Sequence, residues 1–188
     1  MSSIIQKDIE NIITGLGDHI EKFNNKKILF AGGGGFLGFY FTQFFQEIKR
    51  KKNINTKVVF VDNFVSSSKR FLSNDKSSDS FEFINKDICS KNILNLNYKF
   101  DYVIHAAGIA SPFYYRQKPM ETLDVSITGS KNLLELSKIN QSKYIFFSSS
   151  EIYGDPMQEF VPIKESYRGN VSTTGPRSCY DEGKRVGE

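Results

Sequence analysis

Tryptophan is absent from the 188 residues, and cysteine and histidine each occur only twice. Cys89 and Cys179 are too few for a disulfide framework and fit no metal spacing. With His19 and His105 as the only histidines, no metal site is expected. The thiols point instead to a reducing compartment, so a cytoplasmic location is expected. Long apolar runs are missing too. No stretch is long and apolar enough to span a bilayer. The N-terminus lacks a basic segment followed by an apolar one, so neither a signal peptide nor a membrane partner is expected. Charge of one sign is also scarce: 25 basic against 21 acidic residues leave a net charge of +4. That balance is too mild and too dispersed to argue for nucleic acid. The basic runs at 49–52 and 69–70 read as solvated loops, although Lys69 and Arg70 would suit a nearby anion. The length suggests one domain, with room for a core and an appendage.

Glycine, by contrast, is concentrated. GGGGFLG occupies 32–38, with Gly32, Gly35 and Gly38 in a G-x-x-G-x-x-G frame. A short apolar run at 27–31 precedes it and a helical pattern at 36–50 follows. In a strand–turn–helix, such glycines make the tight turn, let a pyrophosphate approach the backbone, and pack the helix on the strand. The helix start at Phe36, Leu37 and Gly38 offers unpaired N–H groups to phosphates. A flexible glycine-rich loop is the rival reading.

The downstream chain supports the first reading. A buried strand at 57–61 ends on Asp62. An acid here accepts hydrogen bonds from both ribose hydroxyls and repels a 2′-phosphate, favouring NAD over NADP. The alternative is a turn-forming Asp, and Lys69 and Arg70 lie near enough in sequence to soften the preference. Residues 66–80 read as a polar loop. A third strand spans 81–84, with Asp87-Ile88 beyond it. Asp87 can reach an adenine amino group or begin the next helix as its N-cap. A fourth strand at 101–105 runs into Ala106-Ala107-Gly108, small enough for a cofactor to lie against the backbone. His105 reads as a satisfied core residue. Residues 109–118 read as a loop containing Ser111, Pro112, Tyr114 and Tyr115. Pro119 can open a long helix whose apolar face is Leu123, Ile127, Leu133, Leu134 and Leu136. A fifth strand at 143–147 places Ser148-Ser149-Ser150-Glu151 where open α/β sheets put ligand chemistry. Residues 154–177 read as an irregular loop, and a helix begins at 178. Upstream, residues 3–23 carry isoleucines at helical spacing, weakened by Gly15 and Gly17. They read as an amphipathic helix or helix pair packed outside the main domain, giving an extension over 1–25 and a domain over 26–188. The aromatic helix at 36–50 reads as core. The whole predicts an α/β, Rossmann-type doubly wound parallel sheet of order 3-2-1-4-5 with right-handed crossovers.

Tyr180 and Lys184 share one helical face. A phenol is a poor base at its ordinary pKa near ~10, but a neighbouring ammonium favours the phenolate. Tyr180 could then take a proton from a sugar hydroxyl as that carbon is oxidised. Lys184 could also hold the nicotinamide ribose, and Ser149 could bond the reacting oxygen from the other side.

Together GGGGFLG, Asp62-Asn63-Phe64, Asp87-Ile88, HAAG, SSSEIYGDP and YDEGK resemble the extended short-chain dehydrogenase/reductase family of nucleotide-sugar enzymes. The run GPRSCYDEGKRVGE, with SSSEIYGDP and ASPFYYRQKP, is most similar to the UDP-glucuronate decarboxylases, the UDP-xylose synthases. The resemblance covers residues 26–188. It implies NAD as cofactor and a UDP-sugar as substrate. It implies cofactor contacts from Asn63, Phe64 and Ile88 besides the residues above. It implies oxidation at sugar C4, loss of CO₂ from the 4-keto acid, and reduction. Tyr180, Lys184 and Ser149 would serve the redox steps, and Glu151 would orient substrate or deliver a proton at C5; a bond to nearby loop backbone is the other reading of Glu151. A 4-epimerase or 4,6-dehydratase is the alternative within the family. Dehydratases typically carry Asp-Glu where this chain has Ser150-Glu151, and a serine is a poorer acid. Two departures stand out: Ser126 replaces the usual Asn of the long helix, and Ser172-Thr173 replaces the usual Asn-Pro. Family members also continue well past this length, so the substrate domain is expected to be lacking. A non-catalytic NAD-binding module is therefore a further alternative. Apolar surface left at the strand-five edge and the unfinished helix implies self-association or a missing partner segment; the family's habit implies a homodimer through the helix after strand four and the Tyr–Lys helix.

Overall fold

The computed structural model describes residues 3–68 and 80–188. Five strands form one parallel sheet: β1 (Lys26–Ala31), β2 (Thr56–Asp62), β3 (Phe81–Asn85), β4 (Tyr102–His105) and β5 (Lys143–Phe146). Their order is β3-β2-β1-β4-β5, as the sequence predicts. Among the described residues five α-helices accompany them: α1 (Ser3–Leu16), α2 (Phe36–Lys52), α3 (Pro112–Gln117), α4 (Pro119–Asn140) and α5 (Ser178–Gly187). No helix among the described residues is long and apolar enough to cross a membrane.

Strand side chains alternate between faces, and each face builds its own core. Ile28, Phe30, Val58, Phe60 and Ile104 meet Phe44, Phe45 and Ile48 of α2, together with Ile9 of α1 and Ile20. Leu29, Ala31, Val59, Val61 and Val103 meet Leu133 and Leu136 of α4, with Ile93 and Phe100. The N-terminal segment is a helix followed by a 3-10 helix over Gly17–Phe23, broken where Gly17 takes a φ of +50°. It is tied to α2 by polar bonds as well as by Ile9. Tyr40 donates to Asp8 at 3.0 Å, and Lys51 lies 2.9 Å from both Glu10 and Glu47. Arg50 beside Glu47 holds that carboxyl at about 2.

Three details differ from expectation. The segment 109–118 contains a helix, α3, with Pro112 in its first turn. Phe36 is not core: it is 67% exposed at the mouth of the glycine turn. The buried face of α4 matches the predicted apolar stripe only in part: Leu133 and Leu136 are buried as expected. Ile127 and Leu134 are exposed, whereas Ser126, Gly129, Ser130 and Asn132 are buried. Ser126 admits α5 closely: a Cβ on Gly183 would sit 3.4 Å from that of Ser126. Lys69 and Arg70 lie outside the described residues.

Candidate active site and cofactor cleft

A cleft of about 660 Å³ opens at the C-terminal ends of β1, β2 and β4. Its size falls in the ordinary range for a small-molecule site. Of the expected cofactor residues, Gly32, Gly35, Phe36, Asp62, Asn63, Asp87, Ile88, Ala106, Ala107 and Gly108 line it. Leu37, Gly38, Phe64, Tyr180 and Lys184 do not.

Backbone builds most of this cleft. Gly32 has a φ of +92°, and a Cβ there would fall 2.7 Å from the Ala107 nitrogen. The turn after β1 thus abuts the small-residue run after β4. Gly38 fits for another reason: a Cβ there would overlap the Gly33 carbonyl. The third glycine therefore packs the helix on the turn itself, not on the strand as the frame suggested. Gly35 is the N-cap of α2 and brings no capping side chain. The first-turn N–H groups keep no helical partners, which suits phosphate oxygens.

Asp62 is held in the loop. Its Oδ2 accepts the Gly34 N–H at 2.8 Å; its Oδ1 accepts the Phe64 N–H at 2.7 Å and the Ser67 hydroxyl at 2.8 Å. Phe64 takes a left-handed φ of +57° to make this bend. Asp87 accepts the Cys89 N–H at 2.8 Å, while Ser90 caps the following 3-10 helix. The alternative N-cap role therefore falls to Ser90. Cys89 also lines the cleft, and burial pushes its thiol up to about 12.

Sequence reasoning missed Ser66, Ser67, Ser68, Lys86, Glu121, Asp124 and Val125 as lining residues. The serines carried only a polar-loop signal. The last three could have been found, since their spacing puts them on one face of the first turns of α4.

Ser149 and Glu151 follow β5, and Tyr180 and Lys184 lie on α5, which packs against the short helical turn after β5. Ser149 caps a 3-10 helix over Ser150–Tyr153 and accepts the Glu151 N–H at 3.3 Å. The Glu151 carboxylate pairs with Arg177, which also lies 3.6 Å from Asp181. Among the described residues the partner of the Glu151 carboxylate is thus a guanidinium rather than loop backbone. The Tyr180 ring stacks on that of Tyr115, with centroids 5.9 Å apart. Lys184 is buried, donates to the Phe147 carbonyl at 2.7 Å, and sits 4.7 Å over the Phe146 ring. Burial pulls its ammonium down to about 8. A Cβ on Gly108 would lie 3.5 Å from the Lys184 Nζ, so this lysine adjoins the cleft at Gly108.

His105 is wholly buried against Phe146, with Nε2 3.1 Å from the Val125 carbonyl. A carbonyl only accepts, so Nε2 carries the hydrogen. Nδ1 has no hydrogen-bond partner among the described residues. The expected satisfied core histidine is thus satisfied on one side only. Burial, then the Lys184 charge, pushes its pKa down to about 4.

A model of the NAD dependent epimerase/dehydratase family matches residues 28–188. The chain belongs to this family. NAD is the family's cofactor, and the capless glycine turn, the open cleft and Asp62 fit a dinucleotide. UDP-glucuronic acid decarboxylase 3 of Arabidopsis thaliana is 37% identical over 164 residues, covering 87% of this chain and 45% of that protein. The chain therefore spans less than half the length of that relative. The UDP-N-acetylglucosamine 4-epimerase of Methanobrevibacter ruminantium M1, solved with UDP-N-acetylmuramic acid, is 26% identical with a TM-score of 0.69, over 88% of this chain and 49% of that one. The Bordetella bronchiseptica enzyme WbmG, solved with NAD, shares the fold at 20% identity and a TM-score of 0.67, over 86% and 47% of the two chains.

Proposed function

We propose that this chain is the cofactor-binding portion of an NAD-dependent UDP-glucuronate decarboxylase. The observation that carries the reading is 37% identity to a decarboxylase across 87% of the chain. In this reading residues 26–188 are the NAD-binding domain and 1–25 an extension. The turn at Gly32 and Gly35 and the helix start at Phe36, Leu37 and Gly38 take the pyrophosphate. Asp62, Asn63 and Phe64 take the adenosine ribose, Asp87 and Ile88 the adenine, and Ala106, Ala107 and Gly108 the inner face of the cofactor.

Bound NAD supplies a reversible two-electron oxidant for sugar C4. Tyr180 takes the C4 hydroxyl proton, with its ring angle set by Tyr115. Ser149 donates to the same oxygen. Lys184 lends positive charge to the phenolate and bonds the nicotinamide ribose beside Gly108. Once C4 is a ketone, the sugar carboxylate lies β to it. CO₂ leaves with its bonding electrons delocalised into that ketone, and the hydroxyls of Tyr180 and Ser149 stabilise the resulting oxyanion. Glu151, drawn toward the cleft or held by Arg177, orients the substrate or supports proton return at C5.

The free thiols support a reducing, cytoplasmic setting. Exposed Ile127, Leu134 and Ile139 on α4 and Val186 on α5 support a homodimer through these helices. Mass spectrometry of a nucleotide-sugar pool incubated with the chain and NAD⁺ tests the function. Loss of CO₂ from UDP-glucuronate alone is expected. Loss of water from a hexose would move the chain to the dehydratases, and a new epimer of unchanged mass to the epimerases. No change of either kind would leave a non-catalytic NAD-binding module.

A further inference from the structure

The acceptor capacity of Asp62 is nearly used up before any ligand arrives. A carboxylate offers about four lone-pair sites. Oδ1 receives two donors, the Phe64 N–H at 2.7 Å and the Ser67 hydroxyl at 2.8 Å. Oδ2 receives one, the Gly34 N–H at 2.8 Å. One site stays open, on Oδ2. A ribose diol grips a carboxylate through two hydroxyls and needs two open sites.

The three donors are not equivalent. Gly34 and Phe64 donate from backbone fixed by the glycine turn and by the left-handed bend at Phe64. Ser67 donates from a hydroxyl that turns about one side-chain bond. It lines the same cleft as Asp62. Only Ser67 can leave Oδ1 without unfolding the loop.

We propose that Ser67 is a specificity-determining residue of the cofactor site, its hydroxyl occupying the place on Asp62 that one ribose hydroxyl would take. In the free chain Ser67 keeps the carboxylate satisfied. When the cofactor arrives, either Ser67 rotates away or the ribose is held by one hydroxyl alone. Both routes weaken the site's dependence on the second ribose hydroxyl. This inference rests on the NAD reading above.

The test is a cycle of binding constants by isothermal titration on the 188-residue chain. The ligands are NAD and its analogue lacking the 2′-hydroxyl on the adenosine ribose. The proteins are wild type, Ser67→Ala and Ser67→Gly. Wild type should distinguish the two ligands weakly. Both variants should bind NAD about fivefold more tightly, the worth of one net hydrogen bond, and should bind the deoxy analogue as wild type does. Equal affinity changes for both ligands, or weaker NAD binding in both variants, would overturn the proposal and show Ser67 to be a support of the loop. If wild type bound neither ligand, the NAD reading itself would fall with it. A thermal melt of each variant identifies loss of binding through misfolding, and Ser67→Gly then serves where Ser67→Ala does not fold.

Discussion

The two ends of the cofactor path are built differently. At the glycine end, β1 and β2 are buried along most of their length, and the cleft wall is backbone. At the Tyr–Lys end, β5 alternates exposed and half-buried residues, and the proposed catalytic groups are side chains held by a ring stack, an ion pair and backbone bonds. Ile145 is 45% exposed, whereas Leu29 and Val59 are fully buried. The glycine turn of the first end is fixed by backbone packing that no rotamer can undo. The second depends on a stack, an ion pair and one buried ammonium. The contrast predicts that binding and turnover are separable in this molecule.

Four substitutions sharpen or break that contrast. Tyr180→Phe should lower turnover by about 10²–10⁴-fold, the usual worth of a positioned acid–base group, while leaving the NAD binding constant unchanged. Equal loss of both would erase the division. Leu29→Ala should destabilise the fold by about 2–5 kcal/mol in denaturant titrations, because Leu29 sits in the sealed core over α4. Gly38→Ala should cost about 2–3 kcal/mol and take NAD binding with it, since the added methyl meets backbone that cannot swing aside. At the open end, Ile145→Ala should stay within about 0.5 kcal/mol.

Lys184 supplies a pH signature. Its folded pKa, near 8, lies below the ordinary lysine value of 10.5. Between those values the unfolded chain binds more protons, so stability should rise with pH across that window. Below about 8 both states are protonated and the full penalty of the buried charge remains. Lys184→Met should flatten the rise in thermal melts recorded across this range; an unchanged slope would place its origin elsewhere.

The sheet order and the glycine turn were legible because parallel strands read as buried apolar runs and only glycine tolerates the turn. The face of α4 was legible only at Leu133 and Leu136. Hydrophobic periodicity picks large side chains, but close approach of α5 selects Ser126, and Ile88 packed on the helix selects Gly129. Asn132 is buried for a further reason: its amide donates to the Ile88 and Cys89 carbonyls, pinning the loop that forms the cleft floor. Asn140 likewise accepts the Phe100 N–H. Such bonds span 40 to 44 positions of chain and leave no local periodic mark. The Glu151–Arg177 pair escaped for the same reason, since 26 residues separate partners that only the fold brings together.

Calorimetric titration of the 188-residue chain with NAD, for wild type, Tyr180→Phe and Gly38→Ala, tests the account most directly. The account predicts one site per chain in wild type, the same affinity in Tyr180→Phe, and no measurable binding in Gly38→Ala. Absence of binding in wild type, or loss of binding in Tyr180→Phe to the level of Gly38→Ala, would contradict it.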